Sequence, residues 1–334
     1  MMQDFWQGQE VLVTGGAGFI ASHLVRALVG QGALVTATVY RGHETSWRLR
    51  DLEDSISVRP VDLTRMEDCL DVCRGKSAVF SLAHLDGTVE FKRAHPAQIL
   101  RQNTSITLNL LEAAGRSGVQ RFLLTSSAEV YPLSAATPLR EAEAFQDMTD
   151  RPTDGYAWSK RISEMAVHTF AREYGIKVAI ARPNNVYGPG DYFDYDRSRV
   201  IPRFIRSVAD GAREIGIWGT GEAARTFLFV DDLVQGLLAL AERHAEGDPV
   251  NLSGDEEISV RDLAALIVRI MGRDIPVVCD PNMPSGPLRR KPDTTKAREI
   301  LGFVPRIGLE EGLRRTIDAY LSAPPRARRA SSEG

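Results

Sequence analysis

Apolar residues in the first half of the chain come in short blocks separated by longer amphipathic stretches. Glu10–Thr14, Ala33–Val39, Ser55–Val61, Ala78–Leu82, Arg121–Ser126 and Lys177–Ala181 are compact, β-rich runs. Between them, Phe19–Val29, Pro96–Arg116 and Gly155–Tyr174 carry apolar residues at helical spacing. Buried strands alternating with amphipathic helices predict a parallel sheet covered by helices on both faces. The expected fold class is therefore α/β, with a doubly wound parallel sheet.

The second half breaks this rhythm. Pro183–Arg199 is rich in Pro, Gly, Asn and Asp and reads as loop. Shorter elements follow: helices over Val200–Asp210, Asp231–His244, Ser259–Met271 and Leu309–Leu321, and strands over Glu214–Trp218 and Arg225–Val230. Ser259 is the expected N-cap of its helix. These pieces predict a smaller C-terminal α/β lobe. The stretch 323–334 has no apolar face and is expected to be a disordered tail.

Composition narrows the class of protein only a little. With 334 residues, 43% hydrophobic and 25% charged, the chain has room for two lobes of an ordinary globular protein. A formal net charge of −3 gives no case for a nucleic-acid partner. Cys69, Cys73 and Cys279 form no CxxC pair, so neither a metal site nor a disulfide framework is expected. No apolar run reaches the roughly 18–20 residues of a spanning helix, and the first residues carry acids without an apolar segment. A cytoplasmic protein with reduced thiols and no membrane partner is the expectation.

The chemistry begins in VLVTGGAGFIASHL, where Gly15, Gly18 and Ala21 have the spacing of a dinucleotide-binding loop between strand and helix. Gly15 permits the tight turn, Gly18 the close approach of a diphosphate, and Ala21 the packing of helix on strand. The helix N-terminus, with Phe19 and Ile20, offers free N–H groups to that diphosphate. The second strand ends Thr38-Val39-Tyr40-Arg41, with a cation where an acid would bind the ribose of NAD. That favours NADP over NAD, unless Arg41 is simply a solvated loop residue. Asp62 and Leu63 after the third strand suit an adenine contact, although Asp62 could equally cap the next helix. Ala83, at the end of the fourth strand, completes the expected cofactor site.

Tyr156 and Lys160 stand four apart in YAWSK near a helix start, so both side chains point the same way. An ammonium beside a phenol favours the phenolate and tunes the tyrosine toward general acid/base work. Ser126 and Ser127 end the fifth strand, on the side of the sheet where ligands bind.

TGGAGFIASH, LLTSSAEVY, YAWSK, ARPNNVYGPG and RTFLFVDD, in this order and spacing, resemble the extended short-chain dehydrogenases known as NDP-sugar epimerases/dehydratases. The resemblance runs from about Val11 to Leu321. It implies a Rossmann domain over 1–183 with segment 226–256 returning to it, and a nucleotide-sugar lobe from 184–225 and 257–322. It further implies Ser127 as hydroxyl partner, Tyr156 as acid/base and Lys160 as the residue holding the nicotinamide ribose. Asn103 occupies the helix position that helps to order the lysine. Asn185, Arg225 and Arg289 match positions that touch the substrate diphosphate. A twofold homodimer through the helices Pro96–Arg116 and Gly155–Tyr174 is also implied.

Glu129 bears on which reaction the chain performs. The 4,6-dehydratases carry Asp-Glu after the hydroxyl residue, whereas here Ala128 precedes Glu129. Sugar-nucleotide decarboxylases keep only the Glu. The segments AHLDGTVEF and SRVIPRFIRS are similar to GDP-fucose synthases, whose Cys and His acid/base pair is replaced here by Glu129 and Arg199. The expectation is an NDP-sugar epimerase working through a transient keto sugar, with C4 the centre and Glu129 a candidate catalytic residue. The alternative is an NADPH-dependent 4-keto-NDP-sugar reductase, followed by a decarboxylase or dehydratase, and, outside enzymes, an NADP-binding sensor.

Overall fold

The computed structural model describes residues 5–41, 47–146, 154–195, 198–283 and 286–323. β1 (Glu10–Val13) leads through the glycine-rich turn into α1 (Phe19–Gly30), followed by β2 (Leu34–Tyr40), β3 (Ser57–Val61), α2 (Met66–Cys73) and β4 (Ala78–Ser81). A short α3 (Val89–Ala94) and the long α4 (Pro96–Arg116) precede β5 (Arg121–Thr125), and α5 (Asp154–Tyr174) precedes β6 (Lys177–Pro183). Next come β7 (Val186–Tyr187), α6 (Val200–Ala209), β8 (Ile215–Trp218), β9 (Ala224–Thr226), β10 (Leu228–Phe229), α7 (Val230–Arg243) and β11 (Glu246–Leu252). The last described elements are β12 (Glu257–Ser259), α8 (Val260–Ile270), β13 (Val277–Asp280), β14 (Arg289–Arg290), α9 (Thr295–Leu301) and α10 (Leu309–Ser322).

Seven strands form the central sheet in the order β11-β6-β5-β4-β1-β2-β3, with every neighbouring pair parallel. The expected α/β class and Rossmann sheet are what the structure shows. The alternation along β1 explains the two layers. Val11 and Val13 pack with Leu24 and Leu28 of α1 and Leu237 of α7 on one face. Leu12 packs with Cys69 of α2, Leu110 of α4 and Val167 of α5 on the other. Strand order reverses between β1 and β4, which opens a crevice at their carboxyl ends.

A further core gathers Phe204 and Ile205 of α6, Ile267 of α8, and Leu313 and Ile317 of α10. Ser259 caps α8 as expected, its hydroxyl accepting from the Asp262 amide at 3.0 Å. The run expected as one strand over Arg225–Val230 is instead β9 and β10, broken at Phe227, and Val230 already opens α7. β11 has no apolar block in the sequence because Gly247 and Pro249 interrupt it. It is an edge strand with an irregular register between Glu246 and Pro249, where such residues are tolerated. Beyond Ala323 the expected tail lies outside the described residues.

Candidate active site

The crevice between β1 and β4 is built to receive a dinucleotide. Gly15 has a φ of +65°, and a Cβ there would come within 3.0 Å of the Ala83 backbone. Only glycine lets the turn sit this close to the end of β4. The Thr14 hydroxyl accepts from the amides of Leu82 and Ala83, both at 3.0 Å, and so ties the two strand ends together. Gly18 is the N-cap of α1 and no side chain caps that helix. The first-turn amides, including those of Phe19 and Ile20, therefore face the crevice side of the turn without an intrahelical acceptor, a cradle that fits a diphosphate.

The adenosine end is more heavily engaged than the sequence suggests. Arg41 forms a forked ion pair with Asp68, at 2.7 and 2.8 Å, on the surface. Asp62 accepts from the Thr64 amide at 3.0 Å and hydroxyl at 2.7 Å, so its carboxylate closes a local turn. Leu63 is buried in the core beneath it. His23, unremarked in the sequence, links α1 to Asp231 of α7 and to the Pro189 carbonyl, each at 2.8 Å.

Tyr156 and Lys160 come together on the first turns of α5. Their placement depends on Gly155, where a Cβ would fall 2.0 Å from the Pro96 carbonyl oxygen at the start of α4. Ser163 and Thr107 then join the two helices through their hydroxyls at 3.0 Å. The Lys160 ammonium donates to the Thr125 carbonyl at 2.8 Å, at the end of β5, and lies 5.6 Å from the Tyr156 ring centre. Burial brings the Lys160 pKa down to about 8. Tyr156 is buried, and desolvation together with the Asp86 carboxylate holds its phenol well above the ordinary value, with a Ser127 hydrogen bond opposing them. Asn103 braces the loop beyond β4, accepting from the Leu85 amide at 2.6 Å and donating to its carbonyl at 3.0 Å.

A charged cluster covers the same pocket. Asp86 binds Lys92 at 2.7 Å and Arg199 at 2.8 Å, with the His84 Nε2 at 3.8 Å. Burial, then the Lys160 charge, keeps His84 below its usual pKa, so its imidazole is neutral at pH 7. Lys92 and Asp86 carry no sequence signal that separates them from a solvated helix face.

On the substrate side, Arg225 donates to the carbonyls of Ala224 at 2.7 Å and Pro287 at 2.9 Å. Arg290 donates to those of Ala128 and Pro132, at 3.2 and 3.3 Å. Burial lowers the pKa of both guanidiniums; each then feels the Glu129 carboxylate, and Arg225 is further depressed by Arg290. Two desolvated cations side by side suit a diphosphate. Arg289, itself exposed, donates from Nε to Glu257 at 2.8 Å, a carboxylate that Arg225 also feels. Asn185, with a φ of +43°, donates to the Thr226 carbonyl at 2.9 Å and shapes the loop beside Arg225.

Comparison with known proteins agrees with this geometry. Residues 11–253 match the model of the NAD dependent epimerase/dehydratase family. The chain is 37% identical to the dTDP-4-dehydro-6-deoxy-D-allose reductase of a Streptomyces species, over 94% of this chain and 98% of that protein. It is 32% identical to GDP-mannose 3,5-epimerase 1 of Oryza sativa subsp. japonica, over 94% and 82%. The crystal structure of UDP-glucose 4-epimerase from Thermotoga maritima with UDP-glucose superposes with a TM-score of 0.83, at 30% identity, covering 93% of this chain and 98% of that one. No helix among the described residues is long and apolar enough to cross a membrane. A dinucleotide cradle, a buried Tyr156–Lys160 pair and a match that spans most of the chain lead to one conclusion: this protein is a nicotinamide-dependent enzyme of the NAD dependent epimerase/dehydratase family.

Proposed function

We propose that the chain is an NADPH-dependent reductase of a 4-keto nucleotide sugar, the reading that ranked behind an epimerase in its sequence. The observation that carries this reading is the similarity to a dTDP-4-dehydro-6-deoxy-D-allose reductase along nearly the whole of both chains, with Tyr156 and Lys160 buried together at the crevice. Burial and the Asp86 carboxylate raise the Tyr156 pKa, so the phenol starts protonated and the cations around it must ease release of its proton. The glycine-rich turn and the start of α1 would hold the diphosphate of a reduced nicotinamide dinucleotide, which would supply the hydride for C4. Tyr156 delivers its proton to the C4 oxygen, hydrogen-bonded to Ser127. Lys160 anchors the tyrosine helix to β5 through Thr125 and supplies the compensating cation. Arg225 and Arg290 hold the substrate diphosphate beside Glu129.

One of the two acid/base positions for chemistry at neighbouring carbons holds no group that can exchange a proton. Arg199 stands where a fucose-synthase acid/base would be, and a guanidinium paired with Asp86 cannot exchange a proton at neutral pH. The similarity to a dTDP-4-dehydro-6-deoxy-D-allose reductase over nearly the full length of both proteins supports a dTDP-linked 4-keto-6-deoxy sugar as substrate. A second reading, epimerisation confined to C4, is supported by the likeness to the Thermotoga UDP-glucose 4-epimerase and uses the same Ser127, Tyr156 and Lys160.

The redox balance distinguishes the two. With a dTDP-4-keto-6-deoxyhexose in deuterated buffer, one NADPH should be oxidised per product, and no deuterium should enter C3 or C5. Conversion of a nucleotide sugar to its C4 epimer with no net NADPH consumption would replace the reductase reading. Cofactor choice is a separate prediction. With no acid after β2 and Arg41 beside the ribose end, NADPH should bind at least as tightly as NADH in a fluorescence titration. A tenfold preference for NADH, about 1.4 kcal/mol, would show that Arg41 stays with Asp68 when cofactor binds.

A further inference from the structure

We propose that Lys92 is a positioning residue for Tyr156, holding the phenol from its ring face and shielding the hydroxyl from the Asp86 carboxylate. This rests on Tyr156 being the proton donor of the reading above. The Lys92 ammonium lies 4.0 Å from the Tyr156 ring centre, nearer than Lys160 at 5.6 Å. It is also bound to Asp86 at 2.7 Å, with only 12% of its side chain exposed. A surface ion pair would contribute little, but a desolvated cation over an aromatic face is among the stronger contacts of its kind. One ammonium therefore does two things: it fixes the ring and neutralises the carboxylate that most opposes phenolate formation. Arg199 binds the second side of Asp86, which links this device to the segment leading into α6.

The charged and titratable groups around Tyr156 come from several elements. His84 and Asp86 lie after β4, Lys92 on α3, Glu129 after β5, Lys160 on α5 and Arg199 before α6. Removing Lys92 leaves Asp86 less compensated and strips a cation from the ring face. Both changes push the phenol in the same direction, upward. Removing the Asp86 charge pushes it down.

The test is the titration of Tyr156 itself, read by ¹⁹F NMR on protein carrying 3,5-difluorotyrosine, whose more acidic phenol brings the transition into the accessible pH range, with the Tyr156→Phe variant identifying the resonance. Lys92→Met should move the Tyr156 transition up by about one pH unit or more. Lys92→Arg should restore most of the shift, and Asp86→Asn should move the transition the opposite way. Opposite shifts from two neighbouring substitutions are not what loosened packing produces. A Lys92→Met curve superimposable on the wild type, or an upward shift in Asp86→Asn, would overturn the proposal. If Lys92→Met does not fold, Lys92→Gln, which keeps a polar side chain beside Asp86 without the charge, is read in its place and should give the same upward shift. The titration needs no sugar, so failure to oxidise NADPH would sink the reductase reading while leaving this result standing.

Discussion

Replacing Tyr156 by phenylalanine is expected to lower kcat by about 10²–10⁴-fold, the usual contribution of a positioned general acid. Nicotinamide binding should be unchanged. Phenylalanine keeps the ring that packs beneath Lys92 and beside His84, whose ring centre is 6.0 Å away. Only the hydroxyl is removed, and at a buried site its loss also removes a group that is costly to desolvate. The variant should therefore fold normally, bind NADPH with the wild-type affinity and fail at the proton-transfer step. NADPH oxidation under single-turnover conditions, beside a fluorescence titration of the cofactor, separates these outcomes. Retention of more than a small fraction of the rate would move the donor role to another group, with His84 the nearest neutral candidate.

The central sheet was legible because its strands are apolar on both faces and its helices on one, so composition alternates with structure along the chain. The catalytic pair was legible for a related reason: Tyr156 and Lys160 lie on one helix, and a spacing of four is visible in one dimension. What the sequence hid is what assembles from distant segments. Lys92 meets Tyr156 only because α3 folds back over α5, and nothing in VEFKRA separates a tuning cation from a solvated one. Arg289 and Arg290 are neighbours, and only the register of β14 against β9 sends Arg290 toward Ala128 while Arg289 reaches Glu257. β11 was obscured by its own Gly247 and Pro249. Its place is set by pairing with β6, not by local propensity. Asn185 did carry a usable signal, since asparagine accepts the left-handed backbone more readily than most residues.

The largest effect on stability is expected beneath the site, at Arg182 and Glu164. Arg182, 1% exposed, donates to both carboxylate oxygens of Glu164, 2% exposed, at 2.7 and 3.0 Å. Glu164 also accepts from the Ser126 hydroxyl, one residue before Ser127, and lies one turn beyond Lys160 on α5. The other side of the guanidinium donates to the Tyr131 hydroxyl at 3.2 Å and the Glu141 carbonyl at 2.8 Å. Tyr131 in turn donates to Asn251 of β11 at 2.6 Å. Arg182, Glu164, Ser126, Tyr131 and Asn251 are all buried, so either charge left alone has little water to replace the other. Arg182→Met or Glu164→Leu should each cost about 3–5 kcal/mol, measured by equilibrium urea unfolding. The double variant should be far less damaged than the sum of the two, because it removes both charges and leaves an apolar contact. Its activity should nevertheless fall, since the anchor of Ser126, and with it the setting of Ser127, is gone. Single variants costing less than about 1 kcal/mol, the range of exposed pairs, would mean that water reaches this network and that it does not hold the β5 end in place.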